Sequence, residues 1–327
     1  MKGSSFNRQR FIAVLACALA LMGLAGSIWA AAPMKMTQAP GYYRMMVGAF
    51  EVTALSDGFI DLDAGLMKNA SQAEIKELLA RMFVGFPKMR TSSNAYLVNT
   101  GEKLVLVEAG AGNVFGPTLG RLLTNLKAAG YRPTQVDAVL ITHMHGDHVG
   151  GLVDAAGKPV FPRAKVYVAK AESDFWLSEE AASKAPADFQ KYFKMARDLA
   201  VPFIARKKWK TFADGEEPVP GVKAILEAGH TPGHSAFEVR YGDESFLIMG
   251  DLVHCAAVQF ARPDVSLDFD SDQKEAVAAR EALFKKVAES KELVAGMHLP
   301  FPGIGHIRAE GDSAYAWAPV DYSPMPK

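Results

Sequence analysis

Six consecutive residues, His143-Met144-His145-Gly146-Asp147-His148, set three imidazoles and a carboxylate at the end of the apolar run Ala138 to Thr142. Such a run reads as a buried strand. At a strand end, residues two apart point the same way, so His143 and His145 face one point; once the chain turns, Asp147 and His148 face a neighbouring one. Three histidines and an aspartate this close make poor surface neighbours without a cation, and imidazole with carboxylate oxygen suits zinc or a similar first-row ion. Four ligands do not complete two sites, so the chain must return with more. Three later segments do so, each closing an apolar stretch: Gly229-His230-Thr231-Pro232-Gly233-His234, Met249-Gly250-Asp251 and Gly296-Met297-His298-Leu299-Pro300.

The rest of the chain is able to supply a rigid frame. It has 327 residues, 49% of them hydrophobic, enough to bury a full core. Strand patterns fall at Phe50 to Leu55, Ala95 to Val98, Lys103 to Val107, Ala138 to Thr142, Ala164 to Val168, Val222 to Leu226, Ala236 to Tyr241 and Phe246 to Met249. Leu119, Leu122, Leu123 and Leu126 recur at helical spacing up to Gly130, and further helical stretches run near Glu172 to Glu180, Asp188 to Ala200 and Asp272 to Ser290. Strands in two sets separated by helices predict an α/β sandwich. The Met- and Phe-containing segment Ala64 to Met89 reads as a flap over a site, as a surface helix from Ser71 to Met82 packed by Ile75, Leu78 and Leu79, or as both.

The amino terminus has another character. Lys2, Arg8 and Arg10 precede an apolar run from Phe11 to Gly26 and small residues at Ala30 to Ala32. This is the pattern of a signal peptide; the run is short of the ~20 residues of a spanning helix, so no membrane span is expected in the mature form. The expected organisation is a signal peptide over 1–30, an N-terminal extension over 31–48 and one main domain over 49–327, with the protein exported to the periplasm or secreted. Loss of the signal removes three basic residues and no acidic one from a chain with 36 of each, leaving a net charge of −3. No nucleic-acid partner is expected on that balance. Cys17 would leave with the signal, and Cys255 then reads as a packed thiol.

Longer segments carry a more specific signal. Gly41-Tyr42-Tyr43-Arg44, Tyr96 to Thr100, Phe115 to Arg121, Asp174 to Leu177 and Phe301 to Glu310, together with the ligand segments, resemble the metallo-β-lactamase superfamily. The resemblance is narrowest to its methyl parathion hydrolase, lactonase and arylesterase branch. It implies a four-layer αββα sandwich holding two divalent metal ions per chain, zinc foremost. His143, His145 and His234 would hold one, Asp147, His148 and His298 the other, and Asp251 would bridge both. His230 and His306 match no ligand position and fall to supporting or structural roles. The resemblance also implies a homodimer, and it places Phe115, Trp176 and Phe193 along the substrate pocket. His254 stands where related lactonases often place a substrate-contacting Tyr. Glu108 stands where Asp-Thr-Gly is usual, a longer carboxylate that alters the support of the metal.

The implied chemistry is attack by a hydroxide bridging the two ions, with Asp147, Asp251 and His254 as the candidate catalytic residues. No Gly-x-Ser-x-Gly elbow offers a competing nucleophile. The expected substrate is a small lactone or aryl ester. An organophosphate triester is the alternative, and glyoxalase II and β-lactamase activities share only the metal motif. A non-catalytic metal-binding or adhesion protein fits poorly, because structural sites are normally closed and mononuclear.

Overall fold

The computed structural model describes residues 32–325; the expected signal peptide and Cys17 lie outside them. Residues 32–39 have no regular structure, and a single compact unit begins at Pro40.

Thirteen strands form two sheets among the described residues. The first has seven strands in spatial order β1 (Tyr42–Val47), β2 (Phe50–Asp63), β3 (Lys88–Asn99), β4 (Leu104–Val107), β5 (Ala138–Leu140), β6 (Lys165–Ala169) and β7 (Trp209–Phe212). It is antiparallel from β1 to β4 and parallel from β4 to β7. The second contains β8 (Val222–Leu226), β9 (Ser235–Tyr241), β10 (Glu244–Ile248), β11 (Leu293–Ala295), β12 (Ile304–Glu310) and β13 (Ala314–Pro319), adjacent in that order. Eight α-helices accompany them among the described residues: α1 (Gln72–Arg81), α2 (Leu122–Ala128), α3 (Gly146–Val149), α4 (Lys170–Leu177), α5 (Glu179–Lys184), α6 (Gln190–Ile204), α7 (Ala256–Gln259) and α8 (Gln273–Ser290).

Strand alternation sorts the apolar residues into layers. Leu55, Leu97 and Leu106 face α2 and α6, where they meet Leu122, Leu126, Phe193, Ala200 and Phe203. Their neighbours Ala54, Val98 and Val105 face the other way and pack on Phe237, Phe246 and Ile248 of the second sheet. That sheet's outer face carries Leu247 and Val294 against Leu283, Phe284 and Val287 of α8. Three packed interfaces between four layers make the αββα sandwich, and side chains two apart on a strand explain why each sheet serves two of them.

The expected elements are present, several with different bounds. The segment 31–48 is not wholly an extension: Tyr42–Val47 pairs with β2 and forms the edge of the first sheet. β2 runs on to Asp63 through a register shift between Ser56 and Gly58. β7 and β11 to β13 had no sequence prediction. The expected 71–82 helix is α1, capped by the Ser71 hydroxyl, which accepts from Glu74 N–H at 3.2 Å. Ile75, Leu78 and Leu79 bury against Val258, Val265 and Leu267, so the helix is packed down, while Leu62 and Leu66 just before it reach the cleft described below.

Candidate metal centre and active-site cleft

Four loops meet at one place, following β5, joining β8 to β9, following β10 and following β11. β10 and β11 run parallel, so their ends deliver Asp251 and His298 side by side. Central strands buried on both faces hold these loops where water is scarce, and a polar group placed there needs partners.

The loop after β5 is held by two buried glutamates. Glu108, with φ of 73°, accepts from Thr142 N–H through Oε1 at 3.0 Å and sets Oε2 3.3 Å from His148 Nδ1. The longer carboxylate therefore reaches the histidine it has to support. On the other side, Glu172 accepts from Met144 N–H at 2.8 Å.

Ring nitrogens then converge in two groups. His145 Nδ1 lies 3.0 Å from His143 Nε2 and 3.2 Å from His230 Nε2. Beside them, His298 Nε2 is 3.5 Å from Asp147 Oδ2, and His148 Nε2 is 3.4 Å from the same oxygen. Asp251 Oδ2 stands between the groups, 3.5 Å from His143, 3.6 Å from His230, 3.2 Å from His148 and 3.0 Å from His298. The far nitrogens are tied down: His143 Nδ1 to Thr142 Oγ1 at 3.0 Å, His230 Nδ1 to Asp270 at 2.7 Å, and His298 Nδ1 to the Ser92 carbonyl at 2.8 Å. Fixing one ring nitrogen with an acceptor aims the other at a metal.

His230 therefore occupies the place expected of His234. Both His234 nitrogens are engaged elsewhere: Nδ1 donates to the Glu227 carbonyl, and Nε2 accepts from Asp251 N–H at 2.9 Å. The side chain braces the Asp251 loop instead of facing the cluster. Gly250 permits this, since a Cβ there would come 2.4 Å from His234 Nε2. His306 is exposed on β12 and takes no part.

The donor set fits divalent cations. Asp251 Oδ1 and His148 Nε2 are buried without a hydrogen-bond partner. Burial, with neighbouring imidazolium charge, holds His143 well below its ordinary range and His145 and His234 at about 3. Neutral imidazole is the ligand form. Burial works against ionised Asp251, but His148 and His298 outweigh it and keep the carboxyl well below the usual range. His148 is raised despite burial by Asp251, Asp147 and Glu108, a positive charge that a bound cation would replace.

A cleft of about 250 Å³ opens over this cluster. His145, Asp147, Asp251, His254 and His298 form its floor, and Leu62, Leu66, Phe115, Phe189, Tyr192 and Phe269 are among its walls. Phe115 lines it as expected. Trp176 and Phe193 do not: each is 1% exposed and belongs to the helix-side core, because α4 and α6 turn those faces to the sheet. Trp176 instead backs His145 edge-on at 5.6 Å. Phe189, one turn before Phe193 at the start of α6, and Tyr192, its immediate neighbour, line the cleft instead. His254 is 3% exposed, with Nε2 3.1 Å from Asp251 Oδ2 and its ring stacked on His298. Cys255 is buried, its thiol pushed up to about 11 by burial, consistent with a packed side chain.

Comparison with known proteins agrees with this architecture. The metallo-beta-lactamase superfamily model matches residues 89–298. The crystal structure of AbOPH, a hydrolase in the beta lactamase superfamily, is 38% identical, covers 88% of this chain and 100% of that one, and superposes with a TM-score of 0.85. AidC, a dizinc quorum-quenching lactonase solved with the product N-hexnoyl-L-homoserine, is 28% identical, covers 87% and 99%, and gives a TM-score of 0.80. Among curated sequences, the N-acyl homoserine lactonase of Bacillus cereus is 26% identical over 160 residues, which is 43% of this chain and 55% of the lactonase. The uncharacterized protein YobT of Bacillus subtilis (strain 168) is 27% identical over 175 residues, 52% and 69% of the two. The sandwich, the convergent histidines and aspartates and these likenesses together make the chain a metal-dependent hydrolase, and it belongs to the metallo-β-lactamase superfamily.

Proposed function

We propose that two divalent cations, zinc foremost, are held by His143, His145, His230 and Asp251 on one side and by Asp147, His148, His298 and Asp251 on the other, and that the chain cleaves lactones or aryl esters. The observation that carries this reading is the floor and walls of one cleft: Asp147, Asp251 and His254 lie beneath a wall that is almost wholly aliphatic and aromatic. Such a wall receives a flat apolar leaving group or fused ring while its ester carbonyl rests on the polar floor. The dizinc lactonase with bound product supports the same substrate class.

Bound there, the cations would supply Lewis acidity and bring water towards hydroxide at neutral pH. The protein's own side chains do the rest. Asp251 presents Oδ2 to the cluster, and its backbone is held by the N–H donated to His234. His254 is kept at about 4 by burial and is neutral near pH 7. Its Nε2 lies 3.1 Å from Asp251 Oδ2 and its Nδ1 is buried without a protein partner, so the ring acts through Asp251. Phe115 and Phe269 flank the floor and exclude water from the reacting carbonyl.

The test is hydrolysis of dihydrocoumarin, phenyl acetate and methyl parathion by zinc-loaded protein, beside Asp251→Ala. Lactone or ester turnover lost in the variant supports the reading. A dominant phosphotriester rate would transfer the assignment to that class, and turnover surviving in Asp251→Ala would end the two-cation account. We also propose export, on the strength of the basic and apolar 1–30 segment; protein recovered from the cell interior with Met1 intact would refute it.

A further inference from the structure

We propose that Glu172 is a positioning residue that sets the histidine triad His143, His145 and His230 by clamping two ligand loops to each other. This rests on the two-cation reading above and concerns only the first of the two sites.

Glu172 is in the first turn of α4, is fully buried, and belongs to neither group of converging ligands. Its two carboxylate oxygens go to different loops. Oε1 accepts from Met144 N–H at 2.8 Å, and Met144 lies between His143 and His145. Oε2 accepts from Gly233 N–H at 2.9 Å, in the loop that carries His230. Oε1 also accepts from Trp176 Nε1 at 2.7 Å, and the indole is the ring packed edge-on against His145. One carboxylate thus touches the support of all three triad histidines.

The close approach is built into the backbone as well. A Cβ on Gly233 would come 2.2 Å from Glu172 N, so only glycine lets this loop lie on α4. Metal sites tolerate only ~0.2 Å of error in ligand distance, so relaxation of one loop by a few tenths of an ångström is enough to weaken the triad. The other group is supported differently: His148 by Glu108, and His298 by the Ser92 carbonyl. Loss of Glu172 therefore acts on one cation and spares its neighbour, whereas general loosening of the fold acts on both.

Glutamine is the informative replacement. It keeps the volume but changes one acceptor oxygen into a donor that faces an N–H, so one loop contact is lost whichever way the amide turns. The experiment is zinc binding to the full chain by competition with a chromophoric chelator, for wild type, Glu172→Gln, Glu172→Asp and Leu126→Ala. Leu126→Ala cuts a cavity into the helix-side core and matches a general loss of stability. Glu172→Asp is too short to span both loops and replaces the Gln variant if that one does not fold. The expected result is two tight zinc ions in wild type and Leu126→Ala, and one retained with the other weakened about 10–100-fold in the Glu172 variants. Anomalous diffraction would place the weakened ion beside His143, His145 and His230. Unchanged binding in the Glu172 variants, or equal weakening of both ions in them, overturns the proposal. Fewer than two zinc ions in wild type would overturn the underlying two-cation reading instead.

Discussion

Replacing His230 and His234 separately by alanine separates two residues that stand four apart in one Gly-His-Thr-Pro-Gly-His segment. His230→Ala removes a nitrogen 3.2 Å from His145 Nδ1 and leaves Asp270 without its partner at 2.7 Å. A four-ligand zinc site is worth ~10–16 kcal/mol, or about 2.5–4 kcal/mol per ligand, so one cation should weaken on the order of 10²–10³-fold. His234→Ala has another cost. It leaves Asp251 N–H and the Glu227 carbonyl unpaired, at about 1–3 kcal/mol for each group that stays buried. The expected outcome is a protein with a lower unfolding temperature that still binds two zinc ions. Zinc stoichiometry by mass spectrometry, chelator competition and thermal unfolding together resolve the pair. If His234→Ala loses the cation and His230→Ala keeps it, the ligand assignment is wrong.

Three further predictions follow from the same geometry. Phe115→Ala should raise KM for an aryl ester on the order of tenfold, about 1.4 kcal/mol of lost apolar contact, with little change in unfolding temperature; Trp176→Ala should instead cost ~3–5 kcal/mol of stability, and equal effects of the two on KM would contradict their placement. Glu227 is raised to about 7 by burial, with Lys286 opposing and Asp214 adding to the shift. The folded state then holds a proton that the unfolded state releases above the ordinary Glu range, so this contribution to stability is complete below about pH 4.5 and fades as pH rises through 7. Glu227→Gln should flatten that part of the stability profile, and an unchanged slope would remove the assignment. Chelation should abolish turnover and lower the unfolding temperature, with both restored by zinc; a temperature insensitive to chelator would show that the ions do not bind the folded state preferentially.

Local pattern was enough where chemistry and spacing lie in one segment. The run from His143 to His148 and the returns at Asp251 and His298 identify themselves, and alternation in Leu97-Val98 and Val105-Leu106 marks the faces that become separate layers. The choice between His230 and His234 was not local. It depends on Asp270, forty residues away, and on which ring meets Asp251 N–H. Trp176 and Phe193 misled for a similar reason: an aromatic on an amphipathic helix fits a pocket or a core equally well until the helix is docked. Glu172 and Asp57 gave no signal at all. Each is a single carboxylate in an ordinary context, and only the fold brings Met144 and Gly233 to one, and Ala111, Gly120 and Leu122 to the other. The short strands β7 and β11 draw much of their definition from pairing with neighbours.

The most direct test of the account is anomalous diffraction at the zinc edge from crystals of zinc-loaded protein. Two peaks, about 3.5–4 Å apart and flanking Asp251, are predicted, one ligated by His143, His145 and His230 and the other by Asp147, His148 and His298. A single peak, or one bound by His234 in place of His230, would contradict it.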